Sequence, residues 1–153
     1  MSSVALSSSP SSPAPVAPHS VNWKRFALVG LGTLIAAVLA NLVVYALGSV
    51  VVGYDPEFIV LANASGTILF TVVPAIVAVL VYAALMRFTS NPARILTNIA
   101  IVVLILSLIP DLTYIPSVPG ASSGQTAILM VMHVVAAAVI VSILTTQTRS
   151  QRA

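Results

Sequence analysis

Cysteine is absent from the 153 residues, which excludes disulfide frameworks, thiolate metal sites and thiol redox chemistry in any compartment. Quinone-linked disulfide enzymes of the four-helix type are excluded with them. Charge is scarce as well: Asp, Glu, Lys and Arg make up 6% of the chain, against about 25% in an average soluble domain. With 59% hydrophobic residues and a mean hydropathy of +1.11, so little polarity does not make a water-soluble fold. The pI near 9.8 and net charge of +3 come from scattered cations with no basic patch to follow a phosphate track, so no nucleic-acid partner is expected.

The motifs of catalysis are lacking too. No Ser sits in a nucleophile elbow, no carboxylate pair lies within an apolar run, and a His–Asp pair without a nucleophile is too little for hydrolysis. Gly30-Leu31-Gly32 lies inside an apolar stretch rather than after a strand, so it is not a phosphate loop. His19 falls in the amino-terminal tail, which leaves no histidine pair for a metal. The expectation is a protein that is not an enzyme and has no cofactor or metal.

What the chain does have is four long apolar runs. Residues 1–20 are a Ser/Pro/Ala segment with Pro10, Pro13, Pro15 and Pro18, which repeatedly remove backbone donors and disfavour helix. The run after Lys24-Arg25 is too long for a signal-peptide core of about 7–15 residues, so an uncleaved first span is expected. No charge occurs from 26 to 52, more than the ~20 residues that cross a ~30 Å hydrocarbon layer. Gly53-Tyr54-Asp55-Pro56-Glu57 breaks this run, and Ser90-Asn91-Pro92 reads as the cap and first turn of a later helix. Backbone groups inside hydrocarbon must bond internally, and continuous apolar runs without period-2 alternation select helices. The predicted fold is an all-α membrane protein, a four-transmembrane-helix bundle. Its layout is a disordered cytoplasmic tail at 1–22, a transmembrane domain at 23–147 with spans near 26–50, 64–86, 94–112 and 125–146, and a cytoplasmic carboxyl-terminal tail at 148–153.

The charges then segregate. Lys24, Arg25, Arg87, Arg94, Arg149 and Arg152 fall on one side, and Asp55, Glu57 and Asp111 on the other. Cationic short loops remain cytoplasmic, which places both termini inside and the acidic loops outside. Trp23, Phe26, Tyr82 and Phe88 mark the inner boundary, and Tyr45, Tyr54, Phe58 and Tyr114 the outer one.

Membrane helices associate through small residues and interhelical hydrogen bonds. The expected buried stripes are Gly30, Thr33, Ala37, Asn41 and Gly48 in span one and Thr67, Thr71, Ala75, Ala78 and Tyr82 in span two. Span three offers Thr97, Ala100, Ser107 and Asp111, and span four His133, Ala136, Ala137 and Ser142, its other faces suiting lipid. Pro74 inside span two deletes one helical bond and reads as a packing kink.

Asn41, Asp111 and His133 are the polar residues that most require explanation, because such groups within spans are costly and face a bundle interior or cavity. One reading is a polar site open to the outside, with neutral His133 bonded to Asn41 and Asp111 tuning its proton affinity or binding a cation. The simpler reading makes Asn41 and His133 packing partners and Asp111 a solvated helix-end residue.

Ala40-Asn41-Leu42-Val43-Val44-Tyr45 in span one, Ser107-Leu108-Ile109-Pro110-Asp111 ending span three, and Met132-His133-Val134-Val135-Ala136-Ala137-Ala138 in span four resemble a bacterial family of small four-span membrane proteins known by a domain-of-unknown-function label. That resemblance covers about 26–146. It implies a bacterial cytoplasmic-membrane protein and singles out Asn41, Asp111 and His133. The small multidrug-resistance transporters are similar in size and span count alone, since their membrane-embedded glutamate has no counterpart and Glu57 lies in a loop. The expected function is a small accessory or ligand- or partner-binding membrane protein, with the lipid bilayer as its surroundings and a membrane protein or a second copy as partner. The alternative is a subunit of an oligomeric small-molecule or ion transporter.

Overall fold

The computed structural model describes residues 22–149. The amino-terminal tail, read from sequence as disordered, lies outside these residues except for Asn22, as does the carboxyl-terminal tail beyond Arg149. Four long helices follow one another, α1 (Trp23–Val51), α2 (Ala64–Phe88), α3 (Pro92–Thr113) and α4 (Ser123–Arg149), with a single 3-10 turn at Ile115–Ser117 between the last two. At 1.5 Å per residue, the 29 residues of α1 extend about 44 Å and the 22 of α3 about 33 Å. All four are long and apolar enough to cross a membrane. α4 continues through Arg149, two residues into the 148–153 segment assigned from sequence to a tail.

Local chemistry sets the helix starts. Asn22 accepts from the Arg25 amide at 3.1 Å and Asn63 from the Ser65 amide at 3.2 Å, each satisfying a donor the first turn leaves open. α3 begins with Pro92 just after Asn91, where the missing N–H costs nothing. Pro74 lies within α2 without ending it, although the carbonyl four residues earlier, on Phe70, loses its usual amide.

α1 packs against α4 along most of its length and against α2, and α3 packs against α4. α2 and α3 are joined by the short 89–91 link, yet they touch much less than α1 and α4 do. The α1 stripe is buried as the sequence predicts, at Gly30, Thr33, Ala37, Asn41 and Gly48, with Phe26 added. In α2, Thr67, Thr71, Ala75 and Tyr82 are buried and Ala78 partly so. The expectation for α4 needs correction: Ser142 is exposed, and the helix buries Leu129, Met132, Ile140 and Leu144. Large side chains on α4 fill the space that small residues on α1 leave open. At Gly48 an added Cβ would lie 3.0 Å from Ile128 and against the Tyr54 hydroxyl. Large apolar side chains on the outward faces of every helix remain exposed, Leu28, Phe70, Leu106 and Val134 among them, as hydrocarbon surroundings require.

The bundle interior has two apolar clusters. Phe26, Ala37, Ala75, Tyr82, Met86, Leu96, Ile140 and Leu144 fill the end that carries Arg87 and Arg94, here the basic end. Phe58, Leu61, Ile115, Leu129 and Met132 fill the end that carries Asp55 and Glu57, the acidic end. Phe58 is fully buried in the cap over the bundle, not at a lipid boundary. Gly120 lets that cap close: its φ is +73° and an added Cβ would meet the Phe58 amide nitrogen at 2.7 Å. The Gln125 side chain donates to the Gly120 carbonyl at 3.1 Å, the Tyr54 hydroxyl to the Tyr45 carbonyl at 2.8 Å, and the Tyr45 hydroxyl to the Leu61 carbonyl at 3.2 Å.

Candidate intramembrane polar site

Between the two apolar clusters lies a polar layer. Asn41 comes from α1, Thr67 and Thr71 from α2, Asp111 from the last turn of α3 and His133 from α4. Asn41 is ten residues before the end of α1 and His133 ten after the start of α4, so both sit roughly 15 Å inside the acidic end. Asn41 and Asp111 are each 4% exposed, whereas the His133 side chain keeps 40% of its surface. Burial of the Asp111 carboxyl removes the reading of that residue as a solvated helix end.

The hydrogen bonds are directional enough to assign roles. The Thr71 hydroxyl donates to the Thr67 carbonyl at 2.7 Å and has only acceptor capacity left. The group 2.9 Å from it on Asn41 must therefore be the amide NH2. This leaves Asn41 Oδ1 as an acceptor, and it is buried without a hydrogen-bond partner, as is Thr67 Oγ1. His133 Nδ1 lies 2.9 Å from the Leu129 carbonyl and 3.1 Å from Asp111 Oδ2. The Leu129 carbonyl can only accept, so Nδ1 carries the proton, and in the neutral ring Nε2 is an acceptor. The carbonyl takes the Nδ1 proton and leaves Asp111 Oδ2 facing the ring with no hydrogen bond of its own.

The structure thus joins Asp111 to His133 but ties Asn41 to Thr71 rather than to His133. Asn41 and His133 meet in another way: both line a cavity of about 500 Å³ that lies between α2 and α3 and is floored by α4. Its polar end is formed by Asn41, Thr67, Thr71, Ser107 and His133, and its remainder is apolar. Pro74 and Ala100 face it from opposite walls. The volume lies within the ~300–1,000 Å³ range of small-molecule sites.

Residues 21–150 match a family of unknown function. The chain belongs to that family, DUF6069. No curated protein and no solved structure matches it. This DUF6069 chain is therefore a four-span membrane protein whose chemistry has to be read from its own geometry.

Sequence reasoning marked Asn41, Asp111 and His133 but missed Gln125, buried at the start of α4 with Oε1 unpartnered. Its signal was a Gln placed just past Pro119-Gly120, where a turn brings a carbonyl within its reach. Among the described residues no three His, Asp or Glu side chains converge as a metal site would require.

Proposed function

We propose that this chain is a ligand-binding protein of a bacterial cytoplasmic membrane, with both termini inside, that holds a small molecule in the cleft between α2 and α3. One observation supports this above the others: Asn41 lines that cleft with a buried carbonyl oxygen that nothing in the fold satisfies. A buried acceptor without a partner costs about 1–3 kcal/mol, and a bound donor removes that cost. Asp111 faces the Nδ1 side of the His133 ring and lies outside the cleft lining. The Thr71 and Ser107 hydroxyls at the cleft donate to carbonyls of their own helices and no charged side chain lines it, which favours binding over catalysis.

Native mass spectrometry of the full chain released from lipid nanodiscs tests the reading. Wild type is expected to retain a small-molecule adduct that Ala100→Trp, which fills the cleft, loses without unfolding. An adduct-free wild type would end the proposal. The rival reading, a subunit of an oligomeric transporter, is favoured instead by a substrate-dependent flux that disappears in His133→Ala.

The orientation has its own test, made simple by a chain without cysteine. Ser117→Cys, on the acidic side, is expected to react with a membrane-impermeant maleimide in intact cells. Ser90→Cys, beside Arg87 and Arg94, is expected to react after permeabilisation alone. Equal labelling of both in intact cells refutes the proposed topology.

A further inference from the structure

We propose that the cleft takes a neutral amphiphile with a hydroxyl head, a long-chain alcohol or phenol drawn from the bilayer, with the head at Asn41 and Thr67 and the tail between α2 and α3. The inference rests on the reading that the cleft binds a ligand, and it adds the chemical class of that ligand and its route of entry.

The head chemistry follows from the polar end of the cleft. Asn41 has an unpartnered acceptor, Oδ1, and the His133 ring, with Nδ1 committed to Leu129, has a second acceptor at Nε2 in its neutral form. Thr67 Oγ1, also unpartnered, can donate or accept. A ligand that meets two acceptors has to bring a donor. A hydroxyl does so and can take the Thr67 proton in return, whereas an ether, ketone or ester brings no donor. No Lys, Arg, Asp or Glu lines the cleft. An ionic head would therefore be stripped of water with no opposite charge beside it. Asp111 is no exception, since it lies on the Nδ1 side of the His133 ring.

The tail and the route follow from the walls. Phe70, Val73 and Val77 on α2 and Ile99 and Val103 on α3 both line the cleft and are exposed on the outside of the bundle. The cleft therefore opens sideways, onto a surface that faces hydrocarbon. From Thr67 to Val81 it follows α2 for roughly 21 Å, a long narrow shape suited to an extended chain. Its acidic end is closed by Leu61, 1% exposed, and its basic end by Leu96, 2% exposed. The exposed flank between α2 and α3 is therefore the route by which a molecule from the bilayer would enter.

Full-length protein in phosphatidylcholine nanodiscs, irradiated with a diazirine- and alkyne-bearing hexadecanol, tests the inference. Label is expected on peptides of α2 and α3, and Ala100→Trp is expected to abolish it. Unlabelled hexadecanol should compete about tenfold better than hexadecyl methyl ether, the loss of one buried donor. It should also outcompete hexadecylamine and hexadecanoate. Thr67→Val and Asn41→Leu should each narrow the preference for alcohol over ether. If Asn41→Leu does not fold, Thr67→Val and the competitor series carry the decision. Equal competition by the ether, or preference for the amine or the acid, overturns the hydroxyl head. Should a native adduct persist in wild type and vanish in Ala100→Trp while the alcohol shows no preference, the ligand-binding reading survives and this one does not. Should neither adduct nor label depend on Ala100, both fall.

Discussion

The α1–α4 seam and the α2–α3 gap are built from the same apolar alphabet and behave in opposite ways. Along the seam, Ala37 is fully buried and Gly48 admits Ile128 so closely that a single added carbon would collide. Across the gap, Phe70, Val77 and Val103 stand exposed around a cavity. In lipid, apolar side chains gain little by leaving one solvent for another, so close approach of backbones decides which helices adhere. The buried stripe of α1 is made mostly of small residues, Gly30, Thr33, Ala37 and Gly48, and the wall residues of α2 and α3 are mostly branched or aromatic. α2 and α3 stay near each other because of the short link between them and their shared contact with the rest of the bundle. A site for a bilayer-borne molecule belongs in the gap, since no packing has to be broken to fill it.

The contrast is broken most severely by enlarging a seam glycine. Gly48→Leu forces Ile128 and Tyr54 aside and is expected to lower stability by about 2–3 kcal/mol, measured by SDS-driven unfolding in mixed micelles. A loss below roughly 0.5 kcal/mol would show that the seam is not the tight interface described here.

Next in size is His133→Ala. It takes away the ring that faces the buried Asp111 carboxyl and is expected to cost about 1–3 kcal/mol, visible as reduced folded yield. The double variant with Asp111→Leu should recover part of that loss, because no buried carboxyl is then left facing an emptied space. Additive losses in the two positions would mean that they do not act as a pair.

How far these positions were legible depends on the kind of interaction. The α1 stripe was readable because small residues at spacings of three, four and seven stand out against Leu and Val, and close packing in lipid selects them. The same logic misjudged α4. There Ile140 and Leu144 are buried in the cluster that holds Ala37 and Ala75, and Leu129 and Met132 against Phe58, Leu61 and Ile115, and a Leu destined for the interior looks like a Leu destined for lipid. Asn41, Asp111 and His133 announced themselves as expensive groups. Their pairing did not, since a rotation of one helix by a single residue step moves a side chain by about 100°. Thr71 rather than His133 faces Asn41 for this reason. The cavity was beyond reach of the sequence, being a property of how two helices fail to touch.

A smaller effect is expected on the other side of the contrast. Ala100→Trp projects into the gap and should change stability by less than about 1 kcal/mol, in the same unfolding assay that registers Gly48→Leu. A large destabilisation would mean that the gap is closed in the membrane, which would weaken the case for a bound ligand as well.

The smallest expected effect concerns the cap, which holds the acidic end of the seam. Burial, and then the neighbouring Tyr45, push the Tyr54 phenol above its ordinary value of 10.0. Its hydroxyl donates to the Tyr45 carbonyl at 2.8 Å and lies against Gly48. A phenol whose proton is held more tightly when folded adds stability that is fully present below the unfolded value. That stability is lost as pH rises through the folded one. The wild-type melting temperature in detergent is therefore expected to fall between about pH 10 and the onset of general alkaline unfolding. Tyr54→Phe, which has no proton to lose, should be slightly less stable at neutral pH and should lack this component of the fall. Equal slopes for the two proteins would separate the Tyr54 hydroxyl from the seam. The tightness of α1 against α4 would then rest on Gly48 and Ile128 without help from the loop above them.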